Sequence, residues 1–405
     1  MSAKSLLRVK ITRENALSIL LVVNSFAWFT LTHPVFNAIL NELKLSEVER
    51  LSLLTTYFVC IAFSAIFGSK LFPRERAKFL YLWMLMGTLA TMFLITAYSN
   101  GVLVNALLAC FLGVSIGTGF PSCLSYFADA TNIENRGFIG GITIGGMGFI
   151  VLLLAVAFSA LGLFWIIGVL VAWRLAGFLS FLLLTRSNEE AEVRKSPSYL
   201  ELVRKRENLL YLFPWVMFSI INFAEAPILE GVFGAESFTF VQLVAWVLIG
   251  IFAIAGGILA DIIGRKRVVI TGFVMLGIEY AALSVFYSLP YALYLFMAFD
   301  GVTWGLFFPV FFMAIWGDLG GNHIKEKYYT LGGLPYLLAS FSSILVKPYV
   351  GSISPTAAFS FASFFLFLSV VPLMYAPETL PEKTIREREL RSYIEKAKKA
   401  REKFT

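Results

Sequence analysis

The chain is short of charge, of histidine, of cysteine and, almost entirely, of glutamine. Only 15% of its 405 residues are Asp, Glu, Lys or Arg, against about a quarter in soluble domains. With 58% of residues hydrophobic and a mean hydropathy of +0.78, no globular interior takes that much apolar surface out of water. A soluble fold is therefore excluded. The two histidines, His33 and His323, lie far apart, which leaves no zinc site or acid–base pair to build on them. Cys60, Cys110 and Cys123 all sit in apolar runs and read as small hydrophobic residues, not as disulfide or metal partners. A Gly-rich phosphate loop is missing, which argues against ATP-driven work. No cleavable leader is expected, because the first apolar run is long and no small-residue cleavage site precedes it.

What is present is a series of apolar runs, each of roughly 20 residues, the length that crosses a ~30 Å hydrocarbon core. They fall near 15–39, 50–71, 79–98, 102–126, 138–160, 163–185, 209–230, 238–260, 268–288, 291–316, 328–351 and 356–376. Twelve helical spans are predicted. The alternating pattern of a transmembrane barrel is missing. With both termini on the cytoplasmic side, 29 of the 33 Lys and Arg fall in cytoplasmic segments, as the positive-inside bias requires. The net charge of +7 then reflects topology and attraction to an anionic inner leaflet. Nucleic acid is not an expected partner; the lipid bilayer is.

An internal repeat organises the chain. "FLGVSIGTGFPSCLSYFAD" from Phe111 aligns with "FDGVTWGLFFPVFFMAIWGD" from Phe299. Gly113 meets Gly301, Gly117 meets Gly305 and Pro121 meets Pro309. After one inserted residue, Asp129 meets Asp318 and Arg136 meets Lys325. The long polar stretch "RSNEEAEVRKSPSYLELVRKREN" separates the halves. The predicted organisation is a six-helix half over 1–185, a cytoplasmic linker over 186–208, a second six-helix half over 209–378 and a charged cytoplasmic tail over 379–405. The tail reads as a solvated mixed-charge helix. Parallel repeats of this kind belong to transporters that rock two halves about a central site.

Three motifs carry a family resemblance. "GGILADIIGRKRV" resembles the 8–9 loop signature of the major facilitator superfamily through Gly257, Leu259, Asp261, Gly264, Arg265 and Lys266. "YFADATNIENRG" is similar to a second signature after span 4, through Tyr126, Asp129, Arg136 and Gly137, with Asp129 in place of Glu. "PETLPEK" after span 12 looks like the tail of the sugar-porter and metabolite:proton symporter members. The resemblance implies an all-α integral membrane protein of twelve transmembrane helices in two six-helix pseudo-repeats, the major facilitator fold. There are departures. "SKLFPRERAK" between spans 2 and 3 keeps Leu71, Arg74 and Lys78 but has Pro73 where the family has Asp. Span 5 lacks the Gly-Pro pair of the antiporter signature, and Cys110 replaces the usual Arg of span 4.

Asp261, Arg265 and Lys266 form a charge cluster at the end of span 8. With Asp129, Arg136 and Asp318 they are predicted to act as a gate that latches the two halves in one transport state. Candidate solute-binding residues are Asn24, Trp28 and Thr32 on one stripe of span 1, Ser122 in span 4, Trp215, Ser219 and Asn222 in span 7, Gln242 and Trp246 in span 8, and Thr303 and Trp304 in span 10. Polar groups with aromatics at helical spacing suit a small polar solute with apolar faces, such as a sugar or organic acid. Ionisable groups at depth are costly and point to function. Asp300, Glu225 and His33 are the proton-coupling candidates, and an acid–base triad of Asp300, Glu225 and Lys347 is predicted. Arg174 and Glu279 are expected to make structural pairs. The expected activity is secondary active transport by alternating access, as proton symport across the cytoplasmic membrane, by a monomer. It needs no catalytic residue, metal or cofactor; the proton gradient supplies the energy. An efflux antiporter of the same superfamily and a non-transporting receptor or scaffold are the alternatives.

Overall fold

The computed structural model describes residues 11–43, 45–71, 76–99, 101–184, 197–321, 325–382, 385–387, 390 and 393–394. His323, residues 186–196 of the linker and most of the tail lie outside the described residues. Among the described residues, twelve helices are long and apolar enough to cross a membrane. They are span 1 (Arg13–Glu42), span 2 (Glu47–Gly68), span 3 (Arg76–Ala97), span 4 (Val102–Ala130), span 5 (Arg136–Phe158) and span 6 (Leu163–Leu183). Span 7 (Arg206–Phe233), span 8 (Ala235–Ile263), span 9 (Arg265–Phe286), span 10 (Ala292–Gly320), span 11 (Glu326–Ser352) and span 12 (Pro355–Tyr375) complete the set. A short helix, Tyr199–Arg204, precedes span 7. The predicted twelve apolar runs all reappear. Spans 4 and 10 continue past their apolar cores to Ala130 and Gly320, because their polar ends pack in the protein rather than in lipid.

Local chemistry sets the helix ends. Thr12 with Asn15 and Ser46 with Glu49 form capping boxes at spans 1 and 2, each satisfying backbone donors that the first turn leaves unpaired. Spans 7 and 8, and spans 8 and 9, are joined through single glycines, Gly234 (φ 85°) and Gly264 (φ 104°). Only glycine takes such angles without strain, so the Gly264 of the signature is a backbone requirement. Pro121 lies at the restart of span 4 after the break at Thr118–Gly119, and Pro309 opens a π-helical turn over Pro309–Ile315 in span 10. A missing N–H interrupts the helix at the same place in both halves.

The packing repeats as the sequence does. Spans 1, 2 and 3 pack on spans 5, 4 and 6; spans 7, 8 and 9 pack on spans 11, 10 and 12. Gly113 and Gly117 bring span 4 onto the backbone of span 2, and Gly301 and Gly305 bring span 10 onto span 8. Between the halves the closest contact is span 5 against span 8. Gly137, Gly141, Gly145 and Gly148 of span 5 face the backbone at Gly257, Ala253, Gly250 and Trp246. Small residues permit this approach where lipid supplies no hydrophobic drive between helices. Large apolar side chains such as Phe63, Leu103 and Leu183 point outward and are exposed, as a lipid-facing belt requires.

Candidate functional site

A cavity of about 240 Å³ lies within spans 7 to 11, in the part of the bundle away from the end that carries Asp261 and Arg136. Its wall is Asn222, Phe223, Gln242, Trp246, Tyr280, Phe296, Asp300, Trp304, Phe308 and Tyr336, with small aliphatic residues between. Gln242 is exposed, so the cavity opens on its side of span 8. Trp304, Phe308 and Tyr336 meet one another with ring centroids 5.2 to 6.0 Å apart. Trp304 donates its indole N–H to the Asn222 amide oxygen at 3.3 Å. Below them Phe218 lies edge-on to Trp304 at 4.8 Å, and Trp215 stacks on Phe311 at 4.7 Å. An aromatic floor thus separates the cavity from the opposite end.

Three buried acids lie in the spans that form this wall. Asp300 of span 10, Glu225 of span 7 and Glu279 of span 9 are all buried. Glu279 makes no hydrogen bond through either oxygen, and Glu225 Oε2 makes none. No ion pair to any of the three occurs among the described residues. Buried carboxyls without a counter-charge are expensive when ionised. The expected triad with Lys347 does not form: Lys347 pairs with Glu230 at 3.8 Å, both exposed. Glu279 does not make the structural pair expected of it. Span 9 carries it toward Asp300 instead, which periodicity along one helix does not reveal.

The span 1 candidates sit elsewhere. Asn24 donates to the Trp173 carbonyl at 2.7 Å and accepts from Arg174 Nη1 at 3.1 Å. Trp28 donates to Thr91 at 2.7 Å, and Thr32 Oγ1 is buried without a partner. Arg174 is fully buried, with its guanidinium 4.5 Å from the rings of both Trp28 and Trp83 and Nη1 on Ser25 at 2.7 Å. Cation–π stacking and neutral oxygens replace an acid partner there. Ser122, Ser219 and Thr303 are buried with unpaired hydroxyls, and Trp215 donates to the Gly332 carbonyl at 2.5 Å. His33 stacks on Tyr57 of span 2 at 5.5 Å, away from the acids. Of the predicted solute residues, the structure gathers Asn222, Gln242, Trp246 and Trp304 around one cavity, with Asp300. It does not bring the first-half candidates to it.

The opposite end, where the bases concentrate, is closed by a crossed set of ion pairs. Asp129 of span 4 pairs with Lys325 at 2.6 Å, and Asp318 of span 10 pairs with Arg136 of span 5. These are the four residues that the repeat aligns, and each acid binds the base of the other half. Asp261 accepts the N–H groups of Gly137 and Phe138 at 3.1 and 2.7 Å, so a carboxylate of one half caps a helix of the other. It also pairs with Arg265 at 2.5 Å, and Arg265 reaches Asp318 at 3.3 Å and the Ile133 carbonyl at 2.6 Å. Lys266 bonds the Met374 carbonyl at 2.7 Å, within its own half. The sequence reading missed Arg76, which joins Asp129 and Glu326, each at 2.7 Å. It also missed Glu378, which accepts the N–H groups that open span 9. The "PETLPEK" motif contained Glu378, but its spacing carried no sign of the target.

Twelve such helices pack as paired six-helix repeats around an interface closed at one end, the arrangement that the sequence resemblance implies. The crystal structure of the human organic anion transporter MFSD10 (TETRAN) is similar, with a TM-score of 0.68 and 14% sequence identity over 89% of this chain and 99% of that one. No protein-family model matches the chain, and no curated protein sequence matches it.

Proposed function

We propose that the protein is a secondary active transporter that carries a small organic solute by alternating access, coupled to protons at Asp300. The observation that carries this reading is the cavity wall itself: Asp300, a buried acid with no ion pair among the described residues, lines a solute-sized space in a fold that suggests transport. The Lys- and Arg-rich end is taken as cytoplasmic, with both termini and the 186–208 linker there. The cavity then opens to the outside and the ion-paired end is shut, one of the two states that alternating access needs.

The sequence resemblance favours symport of a sugar or organic acid. The lining shifts that weighting. It holds amides and aromatics but no Lys or Arg, so an organic acid would meet carboxyls without a counter-charge. The organic anions named for the human protein are a property of that protein; in this chain the buried cation, Arg174, is held between Trp28 and Trp83 in the other half. A second reading, proton-for-solute exchange, is favoured because Asp300 lines the solute cavity, so proton and solute compete for one group.

The test is Asp300→Asn, which mimics the protonated acid. In vesicles with an imposed pH gradient it should abolish gradient-driven accumulation and spare solute exchange at equal concentrations. Accumulation equal to wild type would rule out Asp300 as the coupling group and pass the test to Glu225.

A further inference from the structure

We propose that the cavity within spans 7 to 11 binds a small organic cation, an alkylammonium group whose charge sits against Asp300 and whose substituents pack on Trp246, Trp304 and Tyr336. This deepens the transport reading and rests on it. Three independent features of the wall point the same way.

The first is charge. The cavity wall contains one carboxyl, Asp300, and no basic side chain, while Glu225 and Glu279 are buried in spans 7 and 9. Two bases that fall inside predicted spans are engaged elsewhere: Lys347 with Glu230 at the exposed end of span 11, and Arg174 in the other half with Asn24 and Ser25. A ligand that brings its own positive charge supplies what the site lacks. A neutral polyol does not, and an anion worsens it.

The second is the kind of surface opposite the acid. Aromatic faces and edges dominate the lining, and ring quadrupoles attract a cation within about 6 Å of a centroid. Strongly hydrated inorganic ions gain little from such walls, whereas a weakly hydrated ammonium carrying alkyl groups gains both dispersion and charge. The acids do not form a metal-binding cluster either; among the described residues no group of three His, Cys, Asp or Glu is placed to hold a metal ion. The third is polarity at the mouth. Asn222 and Gln242 present amides that can bond a hydroxyl or amide on the far side of the solute without adding charge.

The titratable groups around Asp300 are Glu225 from span 7, Glu279 and Tyr280 from span 9 and Tyr336 from span 11. Asp300 holds a proton or an ammonium group, not both. Loading the cation therefore releases a proton to the same side, and a full cycle exchanges one for the other.

Choline and its uncharged isostere 3,3-dimethylbutan-1-ol separate charge from shape. Binding of each to the purified full-length protein in nanodiscs is followed by tryptophan fluorescence and by calorimetry. Choline is expected to bind at least tenfold more tightly than the isostere. Asp300→Asn and Trp246→Ala should each reduce choline binding about tenfold, with Asp300→Asn leaving the isostere unaffected. Size-exclusion profiles and melting temperatures confirm that each variant is folded; should Asp300→Asn fail to fold, the choline-to-isostere ratio and Trp246→Ala decide. Equal binding of the two ligands, no binding of either, or choline binding that survives Asp300→Asn would overturn the cation site. In each of those cases, accumulation driven by a pH gradient is a separate readout, so proton-coupled transport stands or falls by itself.

Discussion

Replacing Asp261 with Asn should release the closed end of the molecule. The Asp261 carboxylate accepts the Gly137 and Phe138 N–H groups across the interface and Arg265 within its own half. Asparagine keeps one acceptor oxygen and turns an amide N–H toward one of the two backbone donors. The change removes one hydrogen bond to a charged acceptor, about 1.5–3 kcal/mol. It also removes a negative charge from the N-terminus of span 5, about 0.3–1 kcal/mol. The Arg265 pair lies within one half and survives opening, so its loss affects both states alike; Arg265 also keeps Asp318 and two carbonyls. The net bias against the closed state is therefore about 2–4 kcal/mol, a shift of roughly 30- to 1,000-fold in the equilibrium between states. Spin labels at the exposed positions Asn132 and Arg267, one on each half, would report the separation by pulsed electron resonance. The variant should show a longer, broader distance distribution and slower turnover, with solute affinity close to wild type. An unchanged distribution together with unchanged velocity would show that Asp261 only caps helices and does not hold a state.

Other outcomes follow from the same geometry. Alanine substitutions of Asp129 and Lys325, singly and together, should give a coupling of about 0.5–3 kcal/mol on the same distance equilibrium; strict additivity would show that their 2.6 Å pair contributes nothing to closure. Gly141→Val puts a branched side chain into the Ala253 backbone and should cost about 1–3 kcal/mol by overpacking, read as a lower melting temperature, whereas the same change at Gly168, which has open space around it, should be silent. A single cysteine at Ser198, exposed at the N-cap of the Tyr199–Arg204 helix, should resist an impermeant thiol reagent in intact cells and react once the membrane is permeabilised; ready labelling from outside would reverse the proposed orientation.

Much of this architecture was legible without coordinates, and for identifiable reasons. A helix that crosses a bilayer must be apolar over a set length whatever its neighbours are, so the spans are marked in the linear sequence. Gly264 had to be glycine because the turn into span 9 requires φ of 104°. The aligned pairs Gly113 with Gly301 and Pro121 with Pro309 mark the same close approach and the same helix break in each half. Asp129, Arg136, Asp318 and Lys325 were legible as a repeat of charges.

Their crossed pairing was not, because partner choice depends on how the halves meet. The same limit explains the candidate site. In helices apolar on every side, periodicity does not say which stripe faces a cavity and which faces a neighbouring helix. Asn24 and Trp28 read as cavity residues and instead hold span 1 to spans 6 and 3, while Glu279 read as a structural group and lies with Asp300. Lys347 was expected in a triad with Asp300 and Glu225, but it lies in the 3-10 turn that ends span 11 and pairs with Glu230 at the exterior. Span length, repeat and turn glycines are set by the chain's own covalent and solvation requirements; the rotation of each helix, and with it the burial of the acids and the crossed ion pairs, is set only when the spans pack together.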